Sequence, residues 1–530
     1  MKKISILDST LRDGAQGEGI SFTNQDKLDI VKKLDKLGID FIEAGNPASN
    51  PKDMEFFQEA KNLTLNHAKL VAFGSTRRRD TKVENDKNVL ALLDAHTDVV
   101  AVFGKSSEAH VIEILHTTKQ ENLAMIYDTV HFLKQHEKFV VFDAEHFFDG
   151  YQSNDEYALS TIKEAQKAGA DIIALCDTNG GTFCDDIDAI TKEVLKVISV
   201  PVGIHCHNDI GCAVANTITA VKAGAYHVQG TYIGFGERCG NATLSTIIPT
   251  LQLKNNYHCI PDECVNRLTK TARYVAEIAN ISLDNSLPFV GKSAFAHKGG
   301  MHVDGVTKNT ASFEHIPPEL VGNKRNVLMS EMAGRSAMLN VINEIDPTIT
   351  KESTEAIEMI DLLKDLEHKG YLFESATASL ELIVTKELNQ FKPFFELQHF
   401  KVIGEQTKGL EAGLSSAMIK IKVGNQSEIT AAEGEGPVHA LDVALKKAVQ
   451  RFYPDAKELR LIDYKVRVMD PGDATAALVR VVIVSSDGVD IWTTVGVSRD
   501  IIDASLQALM DSIEYKLMKN GVKPLTDIGV

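Results

Sequence analysis

The chain has 530 residues, too many for one hydrophobic core, so two or more domains are expected. Its net charge of -17 argues against nucleic acid as a main partner, because binding phosphates requires a basic surface. No apolar run is long enough to span a bilayer, no signal peptide precedes the first strand, and the seven cysteines form no paired framework. We therefore expect a cytoplasmic protein with reduced thiols and no membrane partner.

Apolar segments of strand length alternate with helical segments through the first half of the chain. The predicted strands are Ile4–Leu7, Phe41–Ile42, Leu70–Phe73, Val99–Phe103, Phe139–Phe142, Ile172–Leu175, Val202–Ile204 and His227–Thr231. Helical periodicity is clear over 24–37, 155–168 and 212–223, and each of these helices ends at a glycine directly before the next strand. About eight such units are typical of a (β/α)8 TIM barrel. A doubly wound open sheet is less favoured, because no Gly-rich dinucleotide turn follows the first strand.

Polar residues follow the carboxyl ends of the predicted strands, where barrels of this kind place their active sites. In chain order they are Asp8, Arg12, Asp13, Glu43, Ser75 to Arg79, Lys105, Asp143, Glu145, Asp177, Thr178, Asn179, His205, His207, Glu237 and Asn241. Asp13 and the His205/His207 pair are the most specific, since two histidines at i and i+2 of a strand share one face. One carboxylate and two imidazoles are typical ligands of a divalent metal. Alone, each motif is more often a helix cap or a buried strand histidine, but their common position at one barrel end favours a functional site.

The second half of the chain shows two further patterns. Residues 251–391 are predicted to form helices and loops, and the segment from about Phe394 alternates apolar and polar residues, as in a half-buried sheet. Gly434 and Gly436 precede a predicted helix that begins at Pro437, and its free N-terminus could bind a carboxylate. We therefore predict a barrel over 1–255, helical linker subdomains over 256–391 and an α+β domain over 392–530.

Three segments carry a resemblance to a known enzyme family. Residues 8–16, 205–209 and 234–241 resemble the signatures of the 2-isopropylmalate synthase/homocitrate synthase family. Residues 13–22, 46–53, 73–78 and 142–150 resemble its citramalate branch. One departure is Glu43-Ala44-Gly45-Asn46, where a Gly-Gly-Trp-like stretch would be expected.

The resemblance implies an acyltransferase that condenses acetyl-CoA with a 2-ketoacid and hydrolyses the thioester. In the citramalate branch the ketoacid is pyruvate and the product leads to isoleucine. The family's metal ligands would be Asp13, His205 and His207, with Asn241 as a weaker one, and the metal could be Zn, Mn, Mg or Co. The resemblance assigns substrate binding to Arg12, Gln16 and Thr178, and catalytic roles to Arg12, Glu145 and His302.

The resemblance also implies an oligomer and a regulator. His302 lies on a linker segment that reaches the partner subunit's site in the family, so a homodimer is expected. The C-terminal domain would be a regulatory and dimerisation domain that binds an apolar amino acid, isoleucine for this branch. Gly434, Gly436 and Pro437 are the predicted regulatory residues.

Several alternatives remain open at this point. A 2-isopropylmalate or homocitrate synthase would use the same chemistry on another ketoacid. An acyl-CoA lyase of the same superfamily would not need the C-terminal domain, and a catalytically inactive effector-binding protein would have lost a ligand. A metal hydrolase of the amidohydrolase kind carries its His-x-His on strand one, not strand seven.

Overall fold

The computed structural model describes residues 2–327, 342, 343, 345–349, 353–373, 376–404, 415–469 and 477–525. The chain divides into two compact units. The first comprises Met1–Phe295 and Glu314–Asn326, and the second comprises Ala296–Phe313 and Val327–Val530. Over the described ranges, none of the helices is both long and apolar enough to cross a membrane.

The first unit contains a closed barrel of eight parallel strands arranged in chain order. The strands are β1 Ser5–Asp8, β2 Phe41–Gly45, β3 Lys69–Ser75, β4 Val99–Lys105, β5 Phe139–Glu145, β6 Ile172–Asp177, β7 Val202–Cys206 and β8 His227–Gly230. β8 pairs with β1 over four residues and closes the barrel. The predicted (β/α)8 fold is therefore confirmed.

Ten helices of this unit have the following bounds. They are α1 Asn24–Leu37, α2 Pro51–Ala60, α3 Lys87–Asp94, α4 Lys119–Gln135, α5 Phe147–Ser153, α6 Asp155–Ala168, α7 Cys184–Val197, α8 Ala213–Ala223, α9 Leu244–Lys254 and α10 Leu268–Ile278. α1 begins with a capping box between Thr23 and Asp26, which satisfies two free N–H groups. It ends at Gly38, whose φ of 90° is strained for other residues.

Apolar side chains fill the barrel interior and separate its strands from the surrounding helices. The inner cluster contains Leu7, Val71, Val99, Ala101, Val141 and Ile172. Phe41 and Phe139 stack beside it with ring centroids 5.8 Å apart. Burying each aliphatic side chain stabilises the fold by about 1.5–3 kcal/mol. Because this cluster fills the interior, polar groups gather at the carboxyl ends of the strands.

The second unit contains helices and two antiparallel sheets. Its helices are α11 Gly300–Lys308, α12 Thr354–His368 and α13 Thr377–Glu387. The sheets are β9 Glu396–Gly404, β10 Ser415–Val423 and β11 Gln426–Gly434, then β12 Arg460–Val468, β13 Val479–Ser486 and β14 Ile491–Ser498. Each sheet is followed by a helix, α14 Pro437–Gln450 and α15 Ile501–Lys519. The order of three strands and a helix thus occurs twice, which confirms the predicted α+β class.

Partly buried polar contacts join α13 to α15. Lys386 Nζ lies 3.1 Å from Glu514 Oε2, and the Ser379 hydroxyl donates to Asp511 at 2.9 Å. Burial raises the pKa of Asp511 and of Glu514, although Lys386 opposes this effect. Separating the two helices would leave these groups without their partners, so α13 and α15 are expected to fold together.

Candidate active site

Three predicted site residues meet at the carboxyl end of the barrel. Asp13 follows β1, His205 lies on β7 and His207 follows that strand directly. All three are buried, and one ligand atom of each lies within 4.8 Å of the others. His205 Nε2 is 3.3 Å from His207 Nε2 and 3.4 Å from Asp13 Oδ2. His207 Nε2 is 4.0 Å from the same oxygen.

Asn241 adjoins this cluster through a tightly folded loop. It forms an isolated antiparallel bridge with His207, and its Nδ2 is 3.4 Å from His205 Nε2. Gly236 lies against the amide, since a Cβ there would sit 1.9 Å from Asn241 Oδ1. Gly240 has a φ of 85°, and a Cβ on it would sit 2.1 Å from the Gly234 carbonyl oxygen. The glycines of this loop therefore allow Asn241 to approach the two histidines.

The electrostatics of the cluster favour a cation. Burial opposes ionisation of Asp13, but the Arg12 guanidinium and the two histidines outweigh it and lower the pKa. Burial also opposes charge on His205, yet Asp13 raises its pKa. For His207, burial and the charge of His205 lower the pKa to about 4. At neutral pH the site thus offers the Asp13 carboxylate and the neutral imidazole of His207, and a metal would bind His205 through an unprotonated ring nitrogen.

The donor geometry fits a divalent metal ion. Two nitrogen or oxygen ligands about 2.1 Å from a metal, at angles between tetrahedral and octahedral values, lie about 3.0–3.4 Å apart. Two of the three separations fall in this range. Asp13 Oδ1 and Asn241 Oδ1 are buried beside this cluster and have no hydrogen-bond partner, so the acceptor capacity of both side chains is not used within the protein. A set of nitrogen and oxygen ligands without thiolate is compatible with Zn, Mn, Mg or Co.

Arg12 is held rigidly beside the cluster. Its Nε donates to Glu43 Oε2 at 2.5 Å and its Nη1 donates to Asp13 Oδ2 at 2.9 Å. The Ser9 hydroxyl donates to the same Glu43 oxygen at 2.6 Å, and the guanidinium lies 3.8 Å from the centre of the Phe73 ring. A guanidinium fixed in this way can present its remaining N–H groups to a planar carboxylate.

Glu145 and Thr178 lie on neighbouring strand ends. Glu145 ends β5, and its carboxylate is 2.5 Å from Lys105 Nζ at the end of β4. The next residue, His146, has a left-handed φ of 56°, and its backbone N–H donates to the Thr178 hydroxyl at 2.9 Å. The His110 ring stacks on His146 with centroids 3.7 Å apart. A non-glycine residue in this conformation is often found at functional sites.

The other predicted residues are distributed over both units. Gln16 is exposed and ends a short 3-10 turn, Gly14–Gln16, that follows Asp13. His302 lies on α11 in the second unit, is exposed, and stacks on Phe313 with centroids 4.1 Å apart. Gly434 ends β11, Gly436 precedes α14, and Pro437 is the first residue of that helix, as predicted.

The sequence analysis missed the residue that contacts His205 from behind. Gln229 on β8 is fully buried and hydrogen-bonds to both His205 and Asp143. The available signal was a polar residue two positions after His227, and therefore on the same face of the strand as that histidine. Ser9 and Phe73, which hold Glu43 and Arg12 in place, were also missed because neither residue type is distinctive alone.

Three family models match the chain. The HMGL-like model matches residues 3–275, the homocitrate synthase post-HMGL domain-like model matches residues 289–370, and the LeuA allosteric (dimerisation) domain model matches residues 374–517. Together these matches extend over the barrel, the helical segment and both antiparallel sheets.

Named relatives match over almost the full length. The (R)-citramalate synthase of Aquifex aeolicus is 51% identical over 520 residues, which cover 98% of each chain. The (R)-citramalate synthase of Geobacter sulfurreducens is 48% identical over 520 residues, again 98% of each chain. That of Synechocystis is 48% identical over 529 residues, 97% of each chain.

Proposed function

The chain belongs to the HMGL-like family and, within it, to the (R)-citramalate synthases, and from this premise we propose how its residues catalyse the reaction. The enzyme is an acyltransferase that condenses acetyl-CoA with pyruvate to give (R)-citramalate and CoA. Synthases for other ketoacids and the lyase alternative are not favoured by relatives that are 42–51% identical over nearly the whole chain.

The reaction requires two proton transfers, one new carbon–carbon bond and one hydrolysis. A base removes a proton from the acetyl methyl group, and the resulting carbon attacks C2 of pyruvate. The ketone oxygen becomes a hydroxyl group as it takes up a proton. Water then cleaves the thioester, so that CoA leaves with its thiol and citramalate retains the new carboxylate.

Asp13, His205 and His207 would hold a divalent metal, with Asn241 as a fourth ligand. Their short separations and the two buried oxygens without partners support this assignment. A bound cation supplies Lewis-acid stabilisation of the negative charge that develops on the ketone oxygen, worth several kcal/mol. Three or four protein ligands would leave room at such a cation for the ketoacid.

Arg12, Thr178 and Gln16 would bind the ketoacid. Glu43 and Asp13 fix the Arg12 guanidinium, so little side-chain entropy is lost when its remaining N–H groups meet a carboxylate. The Thr178 hydroxyl accepts the His146 N–H, which leaves its own proton to donate to the same carboxylate. Gln16 is exposed at the turn after Asp13 and could contact the substrate from the rim.

Glu145 is the proposed base for the acetyl methyl group. Its carboxylate is only partly buried and is held in place by the ion pair with Lys105 at the barrel rim. His302, carried on α11, is proposed as the second proton-transfer group because its ring, although stacked on Phe313, is exposed.

Regulation and assembly are proposed for the second unit. A LeuA-type domain supports a homodimer and allosteric control, and isoleucine is the proposed effector. Its carboxylate would bind at the N-terminus of α14, where Gly434, Gly436 and Pro437 leave backbone N–H groups without side-chain caps. We retain 1–255, 256–391 and 392–530 as the proposed domain ranges.

This proposal rests on the 48% identity to a citramalate synthase over 98% of the chain, combined with the cluster of Asp13, His205 and His207. CoA release should be measured with pyruvate, 2-ketoisovalerate and 2-ketoglutarate on enzyme of known metal content. We expect the highest kcat/KM with pyruvate, since each extra methyl group forced into a filled pocket costs about 1–3 kcal/mol. Faster turnover of either larger ketoacid would refute the citramalate assignment and leave the family assignment intact.

A further inference from the structure

A continuous chain of buried hydrogen bonds crosses the barrel behind His205. His205 and Gln229 are directly paired on the neighbouring strands β7 and β8. His205 Nδ1 is 2.9 Å from Gln229 Oε1, and Gln229 Nε2 donates to Asp143 Oδ1 on β5 at 2.8 Å. All three side chains are at most 5% exposed. No solvent is therefore at hand to replace one of these bonds.

The direction of each hydrogen bond follows from the chemistry of the groups. A glutamine amide has one end that accepts and one that donates. Burial raises the pKa of Asp143 to about 7, and in its charged form the carboxylate can only accept. The Gln229 NH2 group, which lies 2.8 Å from Asp143 Oδ1, then donates to it, and the Gln229 carbonyl oxygen faces His205. A carbonyl oxygen can only accept, and Nδ1 of His205 must therefore carry the proton. The lone pair of the neutral ring is then on Nε2, the atom that points at Asp13 and His207.

We propose that Gln229 is a positioning residue that fixes the Nδ1–H tautomer of His205 and so keeps Nε2 available for the metal. Asp143 fixes the orientation of the Gln229 amide, so that the NH2 group faces Asp143 and the carbonyl oxygen faces His205. This inference rests on the proposed metal site, and it concerns a side chain that touches neither substrate nor metal. Losing such an outer partner typically lowers metal affinity about 10–100-fold.

Two variants at these positions test the direction of the bonds. Gln229→Leu keeps the volume and removes both hydrogen bonds. The double variant Gln229→Glu with Asp143→Asn exchanges donor and acceptor between 229 and 143, yet still offers His205 an oxygen that accepts. Gln252→Leu is the matched control, because Gln252 is also a buried, hydrogen-bonded glutamine of the first unit but bonds to Ile260 and Asp262.

Metal dissociation constants are measured on purified metal-free proteins by competition with a fluorescent chelator, using Mn²⁺ and Zn²⁺ separately. We expect Gln229→Leu to bind about 10–100-fold more weakly, and the double variant to recover most of that loss. Gln252→Leu should bind like the wild type. Wild-type affinity in Gln229→Leu, or no recovery in a double variant that melts like the wild type, would overturn the proposal.

A second measurement tests the role of Gln229 independently of whether the site binds a metal. The ¹⁵N shifts of the His205 ring report its tautomer in the metal-free protein at alkaline pH. We expect a protonated Nδ1 in the wild type and in the double variant, and a mixture of tautomers in Gln229→Leu. A wild type that binds neither metal would refute the proposed metal site, whereas an Nε2–H tautomer in the wild type would refute the role of Gln229.

Discussion

Gly236 offers a selective way to displace Asn241. A Cβ at this position would lie 1.9 Å from Asn241 Oδ1, and an ordinary contact begins at 3.4 Å, so the amide must retreat by at least about 1.5 Å. Gly236 does not have a positive φ, so the backbone itself accepts alanine. Gly236→Ala should therefore remove the fourth ligand without straining the loop. Loss of a partner that only orients a ligand costs about 10–100-fold in metal affinity, or about 1.4–2.8 kcal/mol, and losing Asn241 itself should weaken metal binding at least as much.

The assay is competition for Mn²⁺ and Zn²⁺ between the metal-free protein and a fluorescent chelator, combined with thermal melting. Gly181→Ala is the matched control, because a Cβ there meets nothing within 4 Å and the residue belongs to the loop after β6 at the same end of the barrel. We expect the control to bind metal and to melt like the wild type. Unchanged metal affinity in Gly236→Ala would refute the role of Asn241 as a ligand.

Three further predictions concern other residues. His207→Ala should abolish metal binding and turnover while the barrel stays folded; full turnover by a variant of measured metal content would contradict this. Burial raises the pKa of Asp8 to about 7, so the folded protein keeps a proton that the unfolded chain loses near pH 4. Asp8→Asn should therefore raise the free energy of unfolding of the metal-free protein relative to the wild type, increasingly from about pH 4 to 7 and by up to about 4 kcal/mol above that range. A constant difference in Tm between variant and wild type across this pH range would contradict the prediction. A fragment that ends before α13, at residue 373, should lose its response to isoleucine in calorimetric titration, since α14 and both sheets follow it; binding to the fragment would disprove this location.

All eight barrel strands could be predicted from the sequence, but their ends could not. The predicted strands stopped at Phe103 and Phe142, whereas β4 continues to Lys105 and β5 to Glu145. Apolar runs end where the active site begins, because the last residues of these strands carry polar groups. Backbone hydrogen bonding continues through them, and parallel pairing still joins Lys105 to Glu145. Strands predicted from apolar runs alone are therefore too short where the active-site residues lie.

The proximity of the three predicted metal ligands could be inferred from the sequence, because a barrel gathers the carboxyl ends of all its strands at one rim. The residues that orient these ligands could not be identified from the sequence. Gln229 and Asp143 are 86 positions apart, and their contact depends on side chains that reach across the interior of the barrel. The spacing of residues along the chain does not predict this contact. The pairing of Gln229 with His205 likewise becomes visible only once the register of β7 against β8 is known.

We propose that this barrel joins acetyl-CoA to pyruvate at a metal held by Asp13, His205 and His207. The most direct test is product analysis by ¹³C NMR after incubating labelled pyruvate and acetyl-CoA with metal-free wild type, metal-loaded wild type and His207→Ala. We expect (R)-citramalate and free CoA from the metal-loaded wild type alone. Citramalate from the metal-free enzyme or from His207→Ala, or none from the loaded wild type, would contradict the claim.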